Sequence, residues 1–417
     1  MPFSKFQKRF TEESGIVRLM EDLGDANTSQ GDVLMLGGGN PAHIPEVQQF
    51  LQERLLRIAT DPVEFANIIG NYDPPRGDNR FISALVDLLK SEYGWDIGPE
   101  NMTLTTGSQS AFFLLFNMFS GEYEDGSKKQ ILLPMLPEYI GYSDLGLTQD
   151  QFTARLPVIE KLDDNFFKYH VDFDQLTLDQ GIGAMCVSRP TNPTGNIISD
   201  DEMKRLSNMA REHDIPLIID NAYGMPFPNL IFTEASLIWE SHIVLCMSLS
   251  KFGLPGTRTG IIIANEEIIN SIVKMNAIFS LALGSFGPAL ALDIIKTRDI
   301  LSLSNDVIRP YYKRKAEMAI RWLKQGLVGI DYYIHRAEGA IFIWLWLPNL
   351  PIRCEELYQR LKRRGVIVVP GNYFFPGLQQ EWSHQHECIR ISYAMHESVV
   401  EKGIKIIAEE IRSLYKL

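Results

Sequence analysis

Lys251 closes the run Ser248-Leu249-Ser250-Lys251, directly after the apolar stretch Ile243-Val244-Leu245-Cys246-Met247. A lysine held at the end of a buried strand can form a Schiff base with an aldehyde. Two hydroxyls precede it, and Arg258 follows in Gly256-Thr257-Arg258-Thr259-Gly260. Hydroxyls and the planar donor fork of an arginine suit phosphate oxygens. Pyridoxal phosphate is an aldehyde that carries a phosphate.

Other strand-end residues could serve the same group. Asp220-Asn221-Ala222-Tyr223 begins where an apolar run ends. A partly desolvated carboxylate there calls for a cation, which a protonated pyridine nitrogen would be. A helix cap or an arginine partner would equally account for Asp220. Tyr223 could hydrogen-bond the ring's phenolic oxygen. So could Asn192, in the stiff loop Arg189-Pro190-Thr191-Asn192-Pro193-Thr194-Gly195, which could also be an ordinary Asn-Pro turn. In Thr106-Gly107-Ser108-Gln109-Ser110, backbone N–H groups at a helix start make a phosphate site. Tyr139 could stack on a flat ring or fill core. Arg390, within Cys388-Ile389-Arg390-Ile391-Ser392, could clamp a carboxylate with two bonds or lie on the wet face of a strand. The histidines form no metal motif, and no Gly-x-Ser-x-Gly or Walker-type loop occurs.

These residues need a scaffold. Short apolar runs at 102–105, 131–133, 184–188, 216–220, 243–247 and 260–264 alternate with helical patterns, among them 108–119 and a helix opened by the capping-box pair Ser199 and Glu202. Continuous apolar strands separated by helices predict a mostly parallel sheet covered on both faces, with functional loops at the strands' carboxyl ends. After about residue 300 the pattern predicts a long helix over 301–323, strands near 332–334, 340–347, 366–369 and 387–393, and helices over 355–364 and at the carboxyl end. This is an α/β fold, a large domain with a mostly parallel sheet plus a smaller α+β domain. The expected division is 1–45 as a segment joining the small domain, 46–298 as the large domain and 299–417 as the small one. Residues 1–45 show turn signals and little periodicity.

A chain of 417 residues is long enough for two cores, and a net charge of −12 argues against nonspecific nucleic-acid binding. The run from Met1 to Lys8 is too polar for a signal peptide, and the apolar run 340–347 is too short to span a bilayer. Cys186, Cys246, Cys354 and Cys388 share no metal-type spacing, and Cys186 and Cys246 lie in apolar runs. A cytoplasmic protein with reduced core cysteines and no membrane or nucleic-acid partner is expected.

Taken in order, the motifs resemble the fold type I pyridoxal-phosphate-dependent aminotransferases. They are Tyr72 with Gly77, Gly107-Ser108-Gln109, Tyr139, Asn192-Pro193-Thr194-Gly195, Asp220 with Tyr223, Ser248-Leu249-Ser250-Lys251, Arg258 and Arg390. The resemblance covers nearly the whole chain. It implies that Lys251 holds pyridoxal phosphate and shuttles a proton, Asp220 pairs with the pyridinium, Asn192 and Tyr223 bond the phenolic oxygen, and Tyr139 stacks on the ring. Ser108, Gln109, Ser248, Ser250 and Arg258 would form the phosphate cup. Tyr72 would reach the phosphate of a neighbouring subunit, implying a homodimer. Arg390, helped by Gly39 and Asn192, would bind the substrate's α-carboxylate. Gly37-Gly38-Gly39-Asn40-Pro41 departs from the family's usual single Gly-x-Pro, and Gly39 is taken as the contact. The implied reaction is ping-pong transamination of small neutral substrates, valine or alanine with pyruvate or 2-oxoisovalerate. A β-lyase using the same lysine is the alternative enzyme. A non-catalytic cofactor-sensing module is the alternative class, and the acidic chain shows no basic N-terminal extension for it.

Overall fold

The computed structural model describes residues 2–11, 14–28 and 33–416. Among them the strands form three sheets. The largest is eight-stranded. Its order is Met102–Thr106, Thr259–Ile263, Ile243–Ser248, Leu217–Asp220, Ile182–Ser188 and Lys128–Leu133, with Gly121–Glu122 and Phe152–Ala154 both pairing at the last strand. Ile182–Ser188 and Ile243–Ser248 are buried at every position, as expected of strands covered on both faces. The run from Ile243–Ser248 through Leu217–Asp220, Ile182–Ser188 and Lys128–Leu133 to Phe152–Ala154 is parallel. Thr259–Ile263 is antiparallel to both neighbours. Its apolar composition suggests a parallel strand, but residues 249–258 are a shorter link than the crossover of about a dozen residues that parallel pairing needs.

Register is what aligns the site. Ser188 pairs with Asp220, Asp220 with Cys246 and Ser248 with Gly260, so adjacent strands end along one line. The helix Ser108–Phe119 starts beside that line from Gly107, whose φ of +78° an L side chain rarely adopts. A Cβ there would also lie 2.1 Å from an Nη of Arg258.

The second sheet is six-stranded, in the order Val369–Pro370, Cys388–Ser392, Phe342–Trp346, Tyr333–His335, Phe166–Val171 and Pro157–Lys161. Its last two strands come from inside the stretch 46–298 assigned to the large domain. Phe166–Val171 pairs in parallel with Tyr333–His335, so the sheet does not respect a cut at residue 298. In the smallest sheet Leu34–Met35 pairs with Val366–Ile367, which brings Gly37–Gly39 beside the C-terminal strands.

The helix expected over 301–323 comprises Asp299–Ser302, a wider π turn over Leu303–Ile308, and Arg309–Gly326 beginning with Pro310 at its second position. The N-terminal stretch, which shows little periodicity, carries two helices, Lys5–Phe10 and Gly15–Thr28. All four cysteines are free and buried. Among the described residues no helix is long and apolar enough to cross a membrane.

Candidate active site

A cavity of about 330 Å³ opens over the carboxyl ends of the parallel strands. Lys251 projects into it from the short helical turn Ser250–Phe252. Its Nζ donates to the Gly39 carbonyl at 2.5 Å and sits 5.4 Å from the centre of the Tyr223 ring. Burial pulls the Lys251 amine down to about 8, and the positive charges of Arg390 and Arg258 act in the same direction, against Asp220. A usable fraction of the amine is therefore neutral near physiological pH.

Asp220 marks one end of the cavity. It accepts from Tyr142 Oη at 2.8 Å and from the Ala222 backbone N–H at 3.0 Å. Burial raises its pKa, while those two donors and Lys251 favour its charged form. Among the described residues it forms no ion pair, so the carboxylate has room for a cation.

Ser108, Gln109, Ser250 and Arg258 gather at the other end. The first N–H groups of Ser108–Phe119 have no partner within the helix and point toward this end, a standard anion-binding arrangement. Arg258, at φ +51°, reaches Ser250 Oγ at 3.4 Å. The hydroxyl of Ser248 is occupied differently. It accepts the Ser250 N–H at 3.0 Å and donates to Thr259 O at 3.3 Å, which fixes the turn carrying Lys251. The side-chain amide of Gln109 donates to Gly141 O at 2.9 Å.

Arg390 closes the third side, buried rather than on a wet strand face. It donates to Asn192 Oδ1 at 2.7 Å and to Gly37 O at 2.6 Å, and lies over the Phe342 ring at 4.1 Å. Its Nε is buried with no hydrogen-bond partner. Burial lowers its pKa to about 10, so it remains a cation at neutral pH. Tyr139 stands edge-on to Tyr142, with ring centres 5.4 Å apart.

The cavity thus brings together Gly39, Ser108, Gln109, Tyr139, Asn192, Asp220, Tyr223, Ser248, Ser250, Lys251, Arg258 and Arg390. Tyr72 is not among its lining residues and is 83% exposed. Three groups escaped the sequence reading. Ser188 lines the floor, Glu138 lies buried beneath it, and Ile16, Leu19 and Met20 form an apolar wall on the helix Gly15–Thr28. The spacing of Ile16, Leu19 and Met20, three and four residues apart, was the available clue to a helix face. Away from the cavity, the fold brings ligand-type atoms of Cys354, Glu355 and His386 within 4.8 Å of one another despite their wide sequence spacing.

Among the described residues the lining holds three cations, Lys251, Arg258 and Arg390, against one carboxylate, Asp220. Such a surplus favours an anionic ligand. An unpaired buried carboxylate, a neutral-capable amine and a phosphate-type cup, in that order across one cavity, fit the ring nitrogen, aldehyde and phosphate of pyridoxal phosphate.

This fold and this cavity define an amino-group-transfer enzyme. The chain belongs to the family Aminotransferase class I and II, whose pattern matches residues 36–407. It is similar to the valine–pyruvate aminotransferase of Escherichia coli K12, with 51% identity over 99% of this chain and 98% of that protein. Two solved structures are also similar. One is a putative amino-acid aminotransferase from Psychrobacter arcticum, with 47% identity, a TM-score of 0.97 and coverage of 100% of this chain and 99% of that one. The other is valine-pyruvate aminotransferase from Salmonella typhimurium, with 50% identity, a TM-score of 0.89 and coverage of 96% and 99%.

Proposed function

We propose that this protein transfers the amino group between valine or alanine and pyruvate or 2-oxoisovalerate, with pyridoxal phosphate as cofactor. The observation that carries this reading is Lys251 projecting into one cavity with Asp220 and Arg390. When bound, pyridoxal phosphate supplies an aldehyde for an amine to join and a ring that absorbs the electron pair left by a departing α-proton. Lys251 would hold it covalently, Asp220 would face its ring nitrogen, and Asn192 and Tyr223 its phenolic oxygen. Tyr139 would cover the ring. Ser108, Gln109, Ser250 and Arg258 would hold the phosphate, with Ser248 fixing the turn behind them.

The chain's own groups then divide the work. Arg390 binds the substrate α-carboxylate through its donor fork, beside Gly39 and Asn192. Lys251, as the free neutral amine, takes the α-proton and returns it. The amino group leaves one substrate and joins a second in two half-reactions. Ile16, Leu19 and Met20 face the remaining space, and among the described lining residues no cation besides Lys251, Arg258 and Arg390 is present to meet a side-chain carboxylate. That composition favours small apolar side chains, as do the names of the Escherichia coli and Salmonella typhimurium relatives.

Tyr72, Val63, Ile69, Ile278, Phe279 and Leu281 are all exposed apolar side chains of the segments 63–72 and 278–281. The Ser285 hydroxyl ties its two segments together by donating to Asp73 at 2.7 Å. An apolar surface of this kind suits a second copy of the chain, to which Tyr72 would contribute. Sedimentation should return a dimer.

The purified protein should absorb visible light, lose that absorption with valine and regain it with pyruvate. Faster turnover of aspartate or an aromatic amino acid than of valine would overturn the substrate assignment. Pyruvate and ammonia formed without an oxo-acid acceptor would overturn the transfer reaction in favour of a lyase.

A further inference from the structure

Beneath the cavity floor runs a line of four side chains that ends on Asp220. The Glu138 carboxylate accepts the Ser188 backbone N–H on Oε1 at 2.8 Å, and its Oε2 is hydrogen-bonded to Ser188 Oγ. Ser188 Oγ lies 3.2 Å from Tyr142 Oη, which in turn lies 2.8 Å from Asp220 Oδ2. Glu138 and Tyr142 have no solvent exposure, and Ser188 has almost none. The sheet register fixes the spacing, because Ser188 and Asp220 are paired residues on adjacent strands.

Counting protons decides the charge state of this line. It contains three oxygen-to-oxygen contacts, each needing one proton. The hydroxyls of Ser188 and Tyr142 supply two. With both carboxylates ionised, one contact would set lone pair against lone pair beside the fully buried Glu138 and Tyr142, which is costly. One carboxyl therefore carries the third proton. The Ala222 N–H and Lys251 favour charge on Asp220, as would a ring cation. The Ser188 and Tyr139 N–H groups favour charge on Glu138, but no cation stands among its named neighbours, and full burial and the like charge of Asp220 oppose it.

We propose that Glu138 is a positioning residue held in its protonated form, and that it heads a one-directional hydrogen-bond chain through Ser188 and Tyr142 that keeps Asp220 anionic. In this chain Glu138 donates to Ser188, Ser188 to Tyr142 and Tyr142 to Asp220. Each oxygen has its proton, and every donor points toward the group that faces the ring nitrogen. Burial outweighs the Ser188 and Tyr139 hydrogen bonds and, with the Asp220 charge adding to it, pushes the Glu138 carboxyl up to about 8, which agrees with a neutral acid at physiological pH.

The inference about Glu138 rests on the hydrogen-bond geometry and on the charges around the two carboxyls. Only the purpose of an anionic Asp220 rests on the proposed function. The test is an infrared difference spectrum between the wild-type holoenzyme and Glu138→Gln at neutral pH. The amide of Gln is neutral and can both accept from the Ser188 N–H and donate to its hydroxyl, so the chain should survive. A protonated-carboxyl band present in the wild type and absent from Glu138→Gln is expected. Lack of that difference overturns the proposal, whether or not the protein binds pyridoxal phosphate.

The second arm is the pH titration of the bound cofactor's visible absorption. Glu138→Gln should keep the wild-type midpoint. Tyr142→Phe and Ser188→Ala, which cut the chain at separate links, should move it. Tyr142→Phe should also lower kcat about tenfold, the order expected for a lost hydrogen bond to a charged group. A Glu138→Gln midpoint displaced as far as that of Tyr142→Phe would mean that the charge of Glu138 is in use, and would overturn the proposal.

Discussion

The floor of the cavity and its N-terminal wall are built on different terms. The floor takes Ser188, Asp220 and Ser248 from the ends of three neighbouring strands, where backbone register leaves their spacing no freedom. Every polar group there has buried partners. The wall is one helix, Gly15–Thr28, presenting Ile16, Leu19 and Met20, with Met20 59% exposed. Its Asp22 is hydrogen-bonded to Tyr358 and paired with Lys362 at 2.5 Å, so that part of the wall is anchored to the helix Cys354–Arg363. Catalytic groups need placement within fractions of an ångström, which strand ends provide. Recognition of an apolar side chain needs only shape, which a helix tethered at a few points can supply and alter independently.

The comparison breaks first at Lys251. Lys251→Ala removes the proton carrier and should lower kcat by roughly 10² to 10⁴-fold, the usual contribution of a positioned acid–base group. Stopped-flow loss of the α-deuterium of labelled valine would measure it. A variant with near-normal exchange would take the floor out of the chemistry.

Arg390→Gln comes next. It removes a buried cation that donates to Asn192 and Gly37, and kcat/KM should fall on the order of 10²-fold for every amino acid tested. The same substitution carries a pH prediction. Lys251 works as the neutral amine, so the rate should rise as pH increases through about 8. Removing the Arg390 charge makes Lys251 easier to protonate, and the rising limb should move to higher pH. A limb that stays put or moves down would mean that Arg390 does not act on Lys251.

Lys251, Asp220 and Asn192 were legible in the sequence, whereas Ser188 on the floor was not, and the difference has a physical reason. Lys251, Asp220 and Asn192 each follow a continuous apolar run, and a polar residue that interrupts such a run must sit where the strand meets a cavity. Arg390 was ambiguous because its strand alternates in sequence, yet all of Cys388–Ser392 is buried. Alternation records polarity, and the packing of a second layer over the far face lies outside it. The direction of Thr259–Ile263 was hidden in its composition but available from the length of its connection. Glu138 was unreadable: its partners are a backbone N–H and a serine 50 residues away, and no local pattern predicts a buried neutral acid. The strand Phe166–Val171 joins the second sheet through Tyr333–His335, a pairing between distant segments that no local window contains.

The wall gives the smallest effect and the sharpest discrimination. Leu19 is buried and lines the cavity from the middle of Gly15–Thr28, so Leu19→Ala adds space without touching a polar group. If the wall contacts the substrate side chain, kcat/KM for valine should fall about tenfold, the scale of a lost apolar contact in a specificity pocket. Alanine, too short to reach the wall, should lose much less, and leucine should gain relative to valine. An equal loss for alanine and valine would mean that the helix holds the cavity closed around any substrate. It would place Leu19 with the floor in fixing geometry, and the division between a chemical floor and a selecting wall would fail at the residue where it is most exposed to test.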